Sequence, residues 1–187
     1  MQNTLNRVRA ILFQPNQTWD EINADATTEP EILKGYLVFI AAVAAIAGFF
    51  GSLFDGEYFF RALLWAVLFF GFSIGGAWGA AKALTFLAPN FKAEPNYIAI
   101  LKLVAYAFTP ILLACIFFLI PQIYGFSILG IYGFYLLWIG IPKLVPCPQD
   151  EIFSFRTVAI IVLAITILII FILSALISGT SVYYLSI

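Results

Sequence analysis

Histidine is missing from this 187-residue chain altogether, which removes the commonest general base and the commonest metal ligand at once. Cysteine is limited to Cys115, inside an apolar run, and Cys147, between two prolines. The two belong at different depths and do not pair, and Cys147 reads as an inert loop thiol. Charge is scarce as well. Only 10% of residues are charged, against about a quarter in an ordinary soluble domain. A net charge of −1 with no clustered basic face excludes nucleic acid as a partner.

These absences dismantle the usual catalytic constellations one by one. A serine nucleophile needs a positioned base, so Ser73 and Ser127 read as small packing or hydrogen-bonding residues. Asp150 and Glu151 are an adjacent pair without the third donor a metal requires. The glycines of the second apolar run lie inside a helix rather than after a strand, so they form no phosphate loop. The chain is therefore expected to be no enzyme, with no catalytic, cofactor-binding or metal-binding residues.

What is present is apolar bulk: 63% of the residues are hydrophobic. A soluble domain of this size has no room to hide so much, so lipid is the expected solvent. Residues 1–30 form a polar N-terminal segment, and residues 31–187 a membrane domain. Five spans fall at about 33–54, 58–83, 98–120, 124–141 and 155–177. The expected fold is an all-α integral membrane bundle of five transmembrane helices.

Within the first segment Leu5, Val8, Ile11 and Leu12 recur at helical spacing. That helix either lies along the membrane surface with Arg7 and Arg9 toward headgroups, or docks on the protein's own cytoplasmic face. Pro15 opens a second short helix carrying Trp19, also expected at the interface, and Ile22. Five carboxylates between Asp20 and Glu31, with no base among them, read as a solvated face. Thr28, Pro30 and Glu31 spell a helix start.

Small-residue stripes predict the packing. Ala44, Gly48 and Ser52 stand four apart in the first span; Gly71, Gly75, Gly79 and Ala83 do so in the second. The two stripes are expected to face each other in a close hairpin, since lipid gives no hydrophobic push between helices. Arg61 is placed to pair with Asp55 or Glu57 or to snorkel, and Lys102 to snorkel to the interface. Pro110 frees the carbonyl of Tyr106, which the Thr109 hydroxyl can partly re-satisfy. The last span, nearly pure Ile, Leu, Val and Ala, is expected at the lipid-facing edge. Tyr183 and Tyr184 in the tail suit the interface. With a cytoplasmic N-terminus every basic residue except Arg61 falls inside or at the inner boundary, so the N-terminus is expected inside and the C-terminus outside.

The fourth span reads as the stretch around which the rest is organised. Tyr124 to Lys143 holds four glycines and six aromatic rings, as a packed helix with a defined end. Its run Tyr132-Gly133-Phe134-Tyr135-Leu136-Leu137-Trp138-Ile139-Gly140-Ile141-Pro142 resembles the hallmark fourth span of the Yip family, named for its Rab-interacting members. Phe13-Gln14-Pro15 with Trp19, Ala105-Tyr106 before Thr109-Pro110, and Ile120-Pro121 agree in order and spacing. The resemblance covers nearly the whole chain and is closest to the short bacterial branch. It implies a non-enzymatic protein of the inner membrane that organises membranes or trafficking, with membrane lipids and other membrane proteins, or a second copy of itself, as partners. Rab-type GTPases are the implied partners only for a eukaryotic member. The alternative reading is a small transporter or channel subunit working as an oligomer.

Overall fold

The structure, a computed structural model, describes residues 4–179, so Tyr183 and Tyr184 lie outside the described residues. Two short helices come first, α1 (Thr4–Phe13) and α2 (Pro15–Ala24). Then α3 (Glu29–Phe54) and α4 (Phe59–Leu87) cross the bundle in opposite directions. They are followed by α5 (Tyr97–Ala114), α6 (Tyr132–Leu144) and α7 (Ile152–Ser178). Five segments built on α3 to α7 are long and apolar enough to span a membrane.

Local chemistry explains the boundaries. One carboxylate oxygen of Glu31 accepts from both the Thr28 amide and the Thr28 hydroxyl at 2.8 Å, which starts α3 as the sequence predicts. One turn later α3 widens into a π-helical turn, Leu33–Leu37, and then resumes. Gly56, at φ 85°, makes the polar turn between α3 and α4. The Asn96 side chain accepts from the Ala99 amide and opens α5. The second span, expected to end at about 83, is longer: α4 runs on to Leu87 and closes in a 3₁₀ turn, Ala88–Phe91.

The centre of the bundle is α5, not the fourth span. Ile100 to Leu112 are buried throughout except at the half-buried Tyr106. The neighbours of α5 are α3, α4, α6 and the N-terminal pair. The third span ends in a 3₁₀ stretch, Cys115–Leu119, and the fourth span is two different helices: Pro121–Ile131 is 3₁₀, and only from Tyr132 does an α-helix begin. A 3₁₀ turn holds three residues, so Tyr124, Ser127 and Gly130 line up inward while Gln122, Gly125, Ile128 and Ile131 face out.

The hairpin of α3 and α4 forms, with the first-span stripe at the contact but not the second. Ala44 and Gly48 are buried, and the Gly48 face is filled by the indole of Trp65; Ser52 is half-buried. Gly71, Gly75 and Gly79 look into open space, Gly71 and Gly75 are exposed, and Ala83 is half-buried. The buried row of α4 is instead Ala62, Ala66, Phe69, Ser73, Ala77 and Ala81. Alanine admits nearly as close an approach as glycine without loosening the helix. The small residue that does matter to α7 is Gly76, where a methyl would sit 2.8 Å from Ile170 Cδ1. Otherwise α7 lies at the edge as expected, with Ile161, Ile165, Leu168, Ile172 and Leu176 exposed.

Candidate functional site

The densest polar chemistry lies where α1 and α2 dock against α5 and α6. Both short helices are amphipathic, and their apolar sides are gone from the surface: Ile11 and Trp19 are fully buried and Ile22 nearly so. Trp19, expected at the interface, is therefore core. Its ring meets Tyr106 edge to face at 6.1 Å, and Tyr106 lies tilted on Tyr36 at 4.4 Å. The floor under the indole is Gly140. A methyl there would stand 2.7 Å from Leu103 Cδ1 and 2.8 Å from two Trp19 ring carbons. Glycine is what this close approach requires.

Polar contacts then fasten the pair in place. Lys102, expected to snorkel, is instead buried, with 6% of its surface exposed. Its ammonium donates to the carbonyls of Ile22, at 2.8 Å, and Asp25. These sit at the end of α2, where carbonyls lack helical partners and the dipole favours a cation. Lys143 Nζ donates to Asn16 O at 2.8 Å and to the Asp20 carboxylate at 2.7 Å. Tyr132 donates its hydroxyl to Leu12 O at 3.1 Å, and Thr4 Oγ1 donates to Gly35 O at 3.3 Å. Arg7 turns inward, pairing with Glu21 at 3.1 Å and with Asp25. The acidic run is thus not simply a solvated face: Asp20, Glu21 and Asp25 receive specific bases. Arg9 alone of the expected headgroup-facing residues stays exposed.

Deeper in, Tyr36 and Thr109 share a 2.7 Å hydrogen bond between α3 and α5. Thr109 also leans on Ala105 O, at 3.5 Å, beside the Pro110 break, rather than on the Tyr106 carbonyl. The resembling motif therefore divides by role. Tyr106, Tyr132 and Gly140 receive the N-terminal pair. Gly133 lies against Ala107 O and lets α6 approach α5, next to the buried Pro110. Tyr135 and Pro142 face outward. Of the residues missed in the sequence, Lys102 stood out as one cation one turn inside an apolar span, but its partners are backbone carbonyls that the sequence does not point to.

Other polar contacts flank this seat. Trp78 Nε1 and Tyr97 OH both donate to Glu29 Oε1, at 2.9 and 2.8 Å, and Lys82 stands 3.7 Å above the Tyr97 ring. Lys92 pairs with Glu151 at 3.4 Å and Asp150 at 3.5 Å, and the hydrogen bond to Glu151 holds the ammonium above its ordinary pKa. Burial pushes the Cys147 thiol up, with Glu151 and Asp150 adding to it. At the other end of the bundle Asp55 receives the Tyr124 hydroxyl, while Arg61 rests over Tyr58 at 5.7 Å, with no ion pair among the described residues. Among the described residues no three His, Cys, Asp or Glu side chains converge. The chemistry of the seat is that of a clamp: it positions two helices on a bundle.

The family model described as the Yip1 domain matches residues 9–177. The chain is 26% identical over 180 residues to the inner membrane protein YohC of Escherichia coli strain K12, covering 88% of this chain and 92% of that protein. The protein of the same name from Escherichia coli O6:H1 matches equally. No solved structure matches. By the match over nearly its whole length, this chain belongs to the Yip1-domain family and is a multi-pass protein of the inner membrane.

Proposed function

We propose that this protein is a non-enzymatic membrane adaptor that works by helix packing against other membrane proteins. The observation that carries the reading is the face of α4 bearing Gly71, Gly75 and Gly79. Among the described residues nothing lies within 4 Å of a methyl built at any of the three, and Gly71 and Gly75 are exposed, so the face is open to close approach. Glycine costs helix stability of about 1 kcal/mol per residue relative to alanine, so three in register with no described helix upon them call for a visiting helix. The packed interior around α5 supports the same reading, because it holds bulk rather than a lined path. Eight bases at or near one end of the bundle support a cytoplasmic N-terminus and an outer C-terminus.

The test is crosslinking in native membranes from a Gly71→Cys variant lacking Cys115 and Cys147, with and without Gly75→Leu. Discrete crosslinked partners, lost on Gly75→Leu while the monomer keeps its thermal stability, are the expected result. Saturable solute flux in proteoliposomes, or a partner set unchanged by Gly75→Leu, would overturn the adaptor reading.

A further inference from the structure

We propose that α1 and α2 form a releasable latch: the cleft between α5 and α6 is a helix-binding groove that the chain's own α2 fills, and that an α2-like amphipathic helix of a partner enters once the latch opens. The groove is a different surface from the glycine face of α4, so the two readings stand or fall separately. Its polar grips are mostly on main chain. Tyr132 donates to Leu12 O, Lys143 to Asn16 O, and Lys102 to Ile22 O and Asp25 O. Leu12, Ile22 and Asp25 lie at helix ends, which offer free carbonyls whatever their sequence. What selects an occupant is the floor. Gly140 leaves room for one flat ring, the Trp19 indole, beside Leu103 and Tyr106. The groove therefore takes a helix with an aromatic ring on its apolar side and a C-terminal end within reach of Lys102.

Two features of the docked state oppose it. Trp19 is fully buried, yet its Nε1–H finds no acceptor among the described residues. A buried donor without an acceptor favours any state in which water or a headgroup reaches it. The Lys102 ammonium is buried as well. Among the described residues it meets carbonyls rather than a carboxylate, so its desolvation is only partly offset. The outer ties are weak holds, since Asp20, Glu21 and Asp25 are exposed and water can replace Lys143 and Arg7. The chain also has a joint in the right place. Residues 25–27 carry no helix, Asp25 is extended at φ −71° and ψ 122°, and Ala26 is exposed. Rotation there lifts α1 and α2 without disturbing the start of α3 at Thr28.

The test uses the full chain in nanodiscs of phosphatidylethanolamine and phosphatidylglycerol, with a fluorescent peptide of residues 4–26 as the probe. Trp19→Ala in the chain weakens its own latch and leaves Lys102, Tyr132, Gly140 and Lys143 in place. The peptide should bind this variant saturably and about tenfold or more tighter than the wild type, whose groove is filled. A peptide carrying Trp19→Ala should not bind, and Gly140→Ala added to the chain should abolish binding. Hydrogen–deuterium exchange of the wild type needs no variant: amides of residues 15–25 should exchange together, well before those of 100–112. In the Trp19→Ala chain, protection at 100–112 should persist, which shows the bundle intact. Wild-type protection at 15–25 equal to that at 100–112 would overturn the latch. Peptide uptake by the Trp19→Ala chain no greater than by empty nanodiscs, or equal uptake of the two peptides, would overturn the groove.

Discussion

Replacing Lys102 by methionine tests the clamp at its most buried polar joint. Methionine keeps much of the aliphatic packing of the stem, so the change removes chiefly the ammonium and its bonds to the carbonyls of Ile22 and Asp25. Each carbonyl left without a partner costs about 1–3 kcal/mol when buried. Asp25 is exposed and its carbonyl can turn to water, whereas Ile22 is buried, so the sum falls toward the low end, about 2 kcal/mol. That is about a 30-fold rise in the opening of α2 from the bundle. Hydrogen–deuterium exchange in detergent reads it directly. Amides of residues 15–25 should exchange faster by that order while the core of α5 is unchanged, and Lys34→Met, at an exposed position, should do nothing. Exchange at 15–25 unchanged, or slowed because an expensive buried charge has been removed, would refute the reasoning.

Three further outcomes follow from the same geometry. Gly48→Leu must collide with Trp65 and should lower stability by about 1–3 kcal/mol, whereas Gly75→Leu meets open space and should leave the monomer's melting curve where it is. Gly140→Ala adds a methyl 2.8 Å from the Trp19 ring, so it should undock α2 and raise proteolysis near residues 13–15 despite alanine's better helix propensity. The Cys147 thiol is raised above its ordinary 9.0, so at pH 8 it should alkylate more slowly than an unperturbed thiol. Its labelling should climb only as pH passes that ordinary value, and Glu151→Gln should speed it modestly.

Legibility in the sequence followed the range of the physics. The spans could be read because length and hydropathy are local, and so could the Thr28–Glu31 start, three residues across. The facing of Arg7 and Arg9 was also available. Two residues apart on a helix are about 200° around it, so they cannot both look at headgroups. The partner of Lys102 was not available, since Ile22 and Asp25 lie far back in the chain and nothing local distinguishes a snorkelling lysine from a clamped one. The glycine stripe misled for a related reason. Spacing by four says that a helix can be approached closely, and it does not say by whom. Gly71 and Ser73 are again about 200° apart, and the chain's own helices chose the alanine side. The fourth span misled because its glycines and rings were read at the α-helical period throughout, although its first half turns every three residues.

That three-fold turn sets a rule for insertions and deletions. Between Pro121 and Ile131, removing or adding one residue would rotate everything before it by a third of a turn, bringing Phe126 or Ile128 to the inward place that Ser127 now holds. Removing a whole triplet would restore the facing and merely shorten the rod by about 6 Å. Length variation tolerated in this segment should therefore come in threes, a register that the neighbouring α-helices do not impose.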